Sequence, residues 1–135
     1  MRVVVTGGAG FIGGNLCRSL RAHPAIEEII AFDDLCSGSA ANLDGTDVQL
    51  VEASILDTDA LDETCRGADA IVHLAAIGSV PRSVAEPLPS HAANATGTVN
   101  VLEAARRAGP ADGAHVLIAG SSSVYGANPT LPKHE

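Results

Sequence analysis

Val3-Val4-Val5-Thr6-Gly7-Gly8-Ala9-Gly10-Phe11-Ile12-Gly13, near the N-terminus, sets the architecture expected of this chain. Three consecutive β-branched residues read as a short buried strand, and Thr6-Gly7-Gly8 stops it. From Phe11 the apolar positions Ile12, Leu16 and Leu20 recur at helical spacing, with Asn15, Arg18 and Arg21 between them, until His23-Pro24 ends the run near Ala22. A strand, a glycine turn and a helix in immediate succession gather backbone N–H groups and the positive end of a helix dipole at one point, a seat for a phosphate anion. Gly8-x-Gly10-x-x-Gly13 matches the dinucleotide fingerprint, and Gly7-x-x-Gly10-x-x-Gly13 is a related spacing of the same loop.

Ile29 to Phe32 is the next apolar run, and it ends at Asp33-Asp34. Asp33 stands twenty residues beyond Gly13, where a carboxylate can accept both hydroxyl hydrogens of an adenosine ribose. No Lys or Arg occurs between Arg21 and Arg66, so a 2′-phosphate would meet the carboxylate without a cation, and the spacing predicts NAD rather than NADP. Asp34 reads as its solvated neighbour, and Ser37-Gly38-Ser39 and 42–47 have loop composition. Val48 to Val51 is a third strand, and Leu56, Ala60, Leu61 and Cys65 mark a helix over 57–66. Ala70 to Leu74 is a fourth strand, followed by a loop over 75–81, a Pro-punctuated stretch, and a helix from about Ser90 to Ala108 that Gly109-Pro110 terminates. His115 to Ala119 is the fifth, running into Gly120-Ser121-Ser122-Ser123, and the chain after Gly126 reads as loop.

Strands alternating with helices predict an α/β fold of Rossmann-like, doubly wound type: a parallel sheet of about five strands in order 3-2-1-4-5, with right-handed crossovers. In such sheets ligands sit outside the carboxyl ends of the strands, at the switch point between strands one and four. Residues 1–135 are expected to form one domain, the size at which a single core is the rule. The composition agrees: 46% of residues are hydrophobic but only 2% aromatic, so Val, Ile, Leu and Ala must build strands buried on both faces. A net charge of −8 with scattered cations is the wrong footprint for nucleic acid. Cys17, Cys36 and Cys65 have no metal-ligand spacing and read as reduced thiols. The N-terminal apolar run is too short for a signal peptide or a membrane span, so a soluble, cytoplasmic protein is expected.

These motifs, taken with His73-Leu74-Ala75-Ala76, Val80-Pro81-Arg82-Ser83, Glu86-Pro87, Asn94-Ala95-Thr96-Gly97-Thr98 and Ser121-Ser122-Ser123-Val124-Tyr125-Gly126, closely resemble the extended short-chain dehydrogenase/reductase family. Within it the chain looks like the NAD-dependent nucleotide-sugar epimerases and dehydratases, UDP-glucose 4-epimerase-like members in particular. The resemblance implies NAD as cofactor and a nucleotide sugar, a UDP-sugar first, as substrate. Gly7, Gly10 and Gly13 would form the phosphate loop, Phe11 and Ile12 would offer amides to the pyrophosphate, and Asp33 would hold the adenosine ribose. Ser54 and Ile55 would flank the adenine, although the family usually carries Asp where Ser54 stands. Leu74, Ala75 and Ala76 would line the nicotinamide side, and Asn94 would brace the loops from inside its helix. His73, at the end of a buried strand, reads as structural.

Ser121 would be the catalytic hydroxyl that hydrogen-bonds the reacting sugar oxygen. Dehydratases of the family typically follow it with Asp and Glu, where this chain has Ser122 and Ser123, which favours epimerisation. The family's base is a Tyr followed four residues later by Lys. Tyr125 is followed by Pro129 and is not that base, so the base is expected beyond Glu135 and the isolated 135 residues are expected to be inactive. The chain is therefore read as truncated before the later strands and a substrate domain, from a parent expected to be a homodimer. Ending at strand five would leave Val116 to Ile118 on an open sheet edge. The alternatives are a non-catalytic NAD(H)-binding or redox-sensing module, and a dehydratase or reductase of the same family.

Overall fold

The computed structural model describes residues 1–109, 113–127 and 129–132. Five strands, β1 (Arg2–Thr6), β2 (Glu28–Asp33), β3 (Gln49–Glu52), β4 (Ala70–His73) and β5 (His115–Ile118), form one sheet in the order β3-β2-β1-β4-β5. All pairings are parallel, and Val4 of β1 lies in register with Ile30 of β2 and Ile71 of β4. The order and the parallel sense are those that the alternating pattern predicts.

The period of two along each strand sends neighbouring side chains to opposite faces, and both faces are covered. Val3, Val5, Ile29 and Ala31 pack with Cys17 of α1 (Phe11–Arg21) and with Leu43 from a 3-10 turn over Ala40–Leu43. Val4, Ile30, Phe32 and Ile71 pack on the other side with Leu61 and Cys65 of α2 (Thr58–Cys65) and with Val101, Ala104 and Ala105 of α5 (Gly97–Ala108). Burying each large apolar side chain contributes about 1.5–3 kcal/mol, so the two clusters clamp the middle of the sheet from both sides. The strand ends that carry the loops are thereby held in fixed relation.

The helix expected from about Ser90 is different. Helical structure starts at α3 (Val80–Ala85), continues through α4 (Pro87–His91) and a π-helical turn (Ala92–Thr96), and runs directly into α5. The prolines that make this stretch look irregular fall in first turns, where their missing N–H is not needed, and Ser79 Oγ accepts from the Arg82 amide at 3.3 Å to cap α3. The loop composition of 37–39 and 42–47 likewise hides the short 3-10 turn, capped by Ser39. Helix α5 ends at Ala108 with Gly109 extended, while Pro110 of the expected terminator lies outside the described residues. Strand β5 pairs only with β4 among the described residues, and Leu117 on it is 63% exposed. Among those residues no helix is long and apolar enough to cross a membrane.

Candidate functional site

The turn from β1 into α1 depends on three positions that lack a Cβ, among them Gly8, where one would meet Ala31 Cβ at 2.6 Å. Gly7 has φ +69°, and a Cβ there would fall 2.8 Å from the Ala75 nitrogen in the chain leaving β4. At Gly13 a Cβ would run into the Gly7 carbonyl oxygen and come within 2.7 Å of Gly8 Cα. The loop therefore folds flat against α1 and β4, tied by hydrogen bonds from Gly7 N to Phe32 O at 2.8 Å and from Gly10 N to Gly7 O at 3.1 Å. Gly10 is the N-cap of α1, supplies no side-chain acceptor, and is followed by no acidic residue in the first turn. The amides of that turn are thus left to whatever anion approaches, with the helix dipole behind them.

Asp33 closes the opposite side. It is 9% exposed at the end of β2, where Oδ2 accepts from the Ala9 amide at 3.0 Å and Oδ1 from the Leu35 amide at 2.9 Å. Each carboxylate oxygen has a second lone pair, so the group can hold the loop and still accept two ligand hydroxyls. Asp34 is exposed and accepts from the Cys36 amide at 3.1 Å. The Asp34 hydrogen bond, then partial burial and the negative charge of both aspartates, push the Cys36 thiol pKa up.

A cavity of about 580 Å³ opens at these strand ends. Gly7, Gly10, Phe11, Ile12 and Gly13 form its floor, and Asp33 enters from β2. Ser54 and Ile55 come from the segment after β3, and Leu74, Ala75 and Ala76 from the segment after β4. Asn94 stands behind this wall: its Oδ1 accepts from the Ile77 amide at 2.7 Å and its Nδ2 donates to the Ile77 carbonyl at 2.9 Å. The lining reaches Ala119 but does not include Ser121, which is exposed. The side chains of Ser122 and Ser123 lie outside the described residues.

Sequence reasoning did not assign Arg82, Pro89, Ala92 and Ala93 to the site, yet α3, α4 and the π-helical turn bring all four to the cavity. The signal for Arg82 was the Ser79-x-Pro81 pattern of a capped helix start, read instead as irregular chain. Arg82 is the one cation lining the cavity among the described residues, and its Nε lies 3.4 Å from Glu86. No cluster of metal-ligating side chains occurs among those residues.

Known proteins share this fold. The UDP-glucose 4-epimerase of Mycolicibacterium smegmatis is 40% identical over 140 residues, covering 100% of this chain and 44% of that protein. The UDP-glucose 4-epimerase of Stenotrophomonas maltophila, solved with bound NAD and formylated UDP-arabinopyranose, superposes with a TM-score of 0.87 at 30% identity, over 98% of this chain and 40% of its own. A dTDP-glucose 4,6-dehydratase from Streptomyces venezuelae, solved with NAD, gives a TM-score of 0.75 at 40% identity, over 82% of this chain and 37% of its own. The chain thus spans less than half the length of these three relatives. Residues 3–135 match the family described as NAD dependent epimerase/dehydratase, and the chain belongs to that family.

Proposed function

We propose that the cavity holds NAD and that the whole protein is a nucleotide-sugar epimerase, with a UDP-sugar as the first substrate to test. The observation that carries the cofactor is Asp33: a largely buried carboxylate, tied to the Ala9 amide of the glycine loop, faces the same cavity as the open first turn of α1. These residues fit NAD. The cradle from Gly7 to Gly13 would seat the pyrophosphate, Asp33 the adenosine ribose, Ser54 and Ile55 the adenine, and Leu74 to Ala76 the nicotinamide side. Bound NAD would supply a reversible hydride acceptor.

The chain's own residues bind and orient in this reading. The α1 amides and dipole offset the pyrophosphate charge, and the Asp33 oxygens select a free 2′-hydroxyl over a phosphate. Ser121 would hydrogen-bond the reacting sugar oxygen as charge develops on it. Ser122 and Ser123 offer no acid–base pair for removing water, which favours epimerisation over dehydration. A Tyr and Lys supplied from elsewhere in the protein would serve as the base, and a homodimer of the whole protein belongs to the same proposal.

Calorimetric titration of the chain with NAD and NADP, with an assay of UDP-galactose to UDP-glucose conversion, tests the reading. NAD binding without turnover by these 135 residues is the expected result. Preference for NADP, or turnover by the chain alone, would refute the cofactor assignment or the missing base respectively.

A further inference from the structure

The wall formed by residues 74–77 is held by its own backbone. The Leu74 amide donates to the Thr6 carbonyl at 3.0 Å, the Ala75 amide to Thr6 Oγ1 at 3.3 Å, and the Ile77 amide to Asn94 Oδ1 at 2.7 Å. The middle bond depends on which way the Thr6 hydroxyl points, and a histidine decides that. His73 is 4% exposed, with Nδ1 2.7 Å from Thr6 Oγ1 and Nε2 2.9 Å from Thr98 Oγ1.

Counting hydrogens fixes the direction of the whole chain. Thr98 Oγ1 donates its single hydrogen to the Asn94 carbonyl at 2.9 Å, so toward His73 it can only accept, and Nε2 must carry the N–H. A neutral ring then has a bare lone pair at Nδ1. Thr6 donates its hydrogen there, and its oxygen accepts from the Ala75 amide. The opposite tautomer would take the Thr98 hydrogen away from the Asn94 carbonyl. It would also leave the Thr6 hydroxyl hydrogen, on a fully buried residue, without an acceptor among the described residues. An imidazolium would impose the second fault and add a buried charge.

We propose that His73 is a positioning residue. Held as the neutral Nε2–H tautomer, it links Thr6 on β1 to Thr98 and the Asn94 carbonyl on the helix behind, and so orients the 74–77 wall against which the nicotinamide half of NAD would lie. The last clause rests on the cofactor reading above; the tautomer does not. Burial lowers the His73 pKa, and no carboxylate or cation on β1, β5, α5 or the wall contributes to that shift.

The tautomer is tested without ligand, by nitrogen NMR of the chain carrying 15N-labelled histidine. A protonated Nε2 and a bare Nδ1 are expected at neutral pH, with Nδ1 taking up a proton only below the ordinary imidazole range. A protonated Nδ1, or a mixture of tautomers, would overturn the assignment. The positioning role is tested by titrating NAD and ADP-ribose, which lacks nicotinamide, into the wild type, His73→Leu and His73→Asn. Loss of the relay should weaken NAD about tenfold in His73→Leu and leave ADP-ribose unchanged. His73→Asn, which keeps an acceptor near the Nδ1 position, should recover most of the loss. Equal weakening of both ligands, or no weakening of either, would overturn the role. A wild-type chain that takes neither ligand would overturn the cofactor reading, with the NMR result standing apart.

Discussion

Replacing Asp33 by alanine should damage two things at once, and their different magnitudes make the test informative. Both carboxylate oxygens hold backbone amides, those of Ala9 and Leu35, and Ala9 is fully buried. Hydrogen bonds to an ionised group contribute about 1.5–3 kcal/mol each, and a buried amide left without a partner costs a comparable amount. The variant should therefore lose roughly 3–6 kcal/mol of stability, a fall in melting temperature of about 10–20 °C for a chain of this size. Two ribose hydroxyls bonded to the same carboxylate would contribute about 3 kcal/mol to NAD affinity, or roughly a hundredfold. Distortion of the glycine loop weakens NAD and NADP alike, so the ratio of their affinities isolates the ribose contribution from the structural one. Calorimetric titration at a temperature where the variant remains folded, paired with thermal unfolding, reads both. NAD should lose far more than NADP, whose phosphate is relieved of a neighbouring negative charge. An unchanged ratio would refute the ribose assignment, and an unchanged melting temperature would refute the structural role of the Ala9 and Leu35 bonds.

Other consequences are open to simpler measurements. Gly7→Ala forces a side chain into the left-handed region, at about 1–2 kcal/mol, and drives its Cβ against the Ala75 nitrogen, so both the denaturation midpoint and NAD affinity should fall. Leu61→Ala removes a fully buried side chain between α2 and the sheet and should cost about 2–5 kcal/mol in urea unfolding with no change in the NAD/NADP ratio. The His73 pKa is lowered from 6.5 by burial, so the unfolded chain binds the extra proton first: its contribution to stability is complete above that value and is lost as pH falls below it, visible in denaturation midpoints from about pH 8 to 5. Burial pushes the Cys17 and Cys65 thiols up to about 11, whereas Cys36 is exposed at the cavity. Alkylation of the native chain should label Cys36 alone, slowly, and NAD should protect it.

The sheet was legible because its causes are local. Val3 to Val5, Ile29 to Phe32 and Ala70 to Val72 are short apolar runs stopped by polar or glycine steps, and runs of that kind fit only strands covered on both faces. The glycine loop and Asp33 were legible through their spacing. The rest depends on distance between segments remote in sequence. Nothing local to Asp33 announces that the Ala9 amide will sit 3.0 Å away. The three prolines Pro81, Pro87 and Pro89 suggest broken chain, and only their places in first turns reveal α3 and α4, which is why Arg82 and Pro89 at the cavity were not foreseen. The π-helical turn over Ala92–Thr96, which carries Asn94, has no residue pattern that sets it apart from the α-helix expected there.

The uncapped start of α1 bears on lifetimes as well as affinity. Most helices are tied at this end by a Ser, Thr, Asp or Asn side chain, a bond whose loss costs about 1 kcal/mol, and Gly10 supplies none. In the proposed complex the pyrophosphate would take that part, so the dinucleotide would complete a secondary-structure element and not merely occupy a cleft. Cofactor occupancy would then govern how often the first turn opens: hydrogen exchange at Phe11, Ile12 and Gly13 should be fast in the unliganded chain and slow when the dinucleotide is bound, with β2 beneath it unchanged.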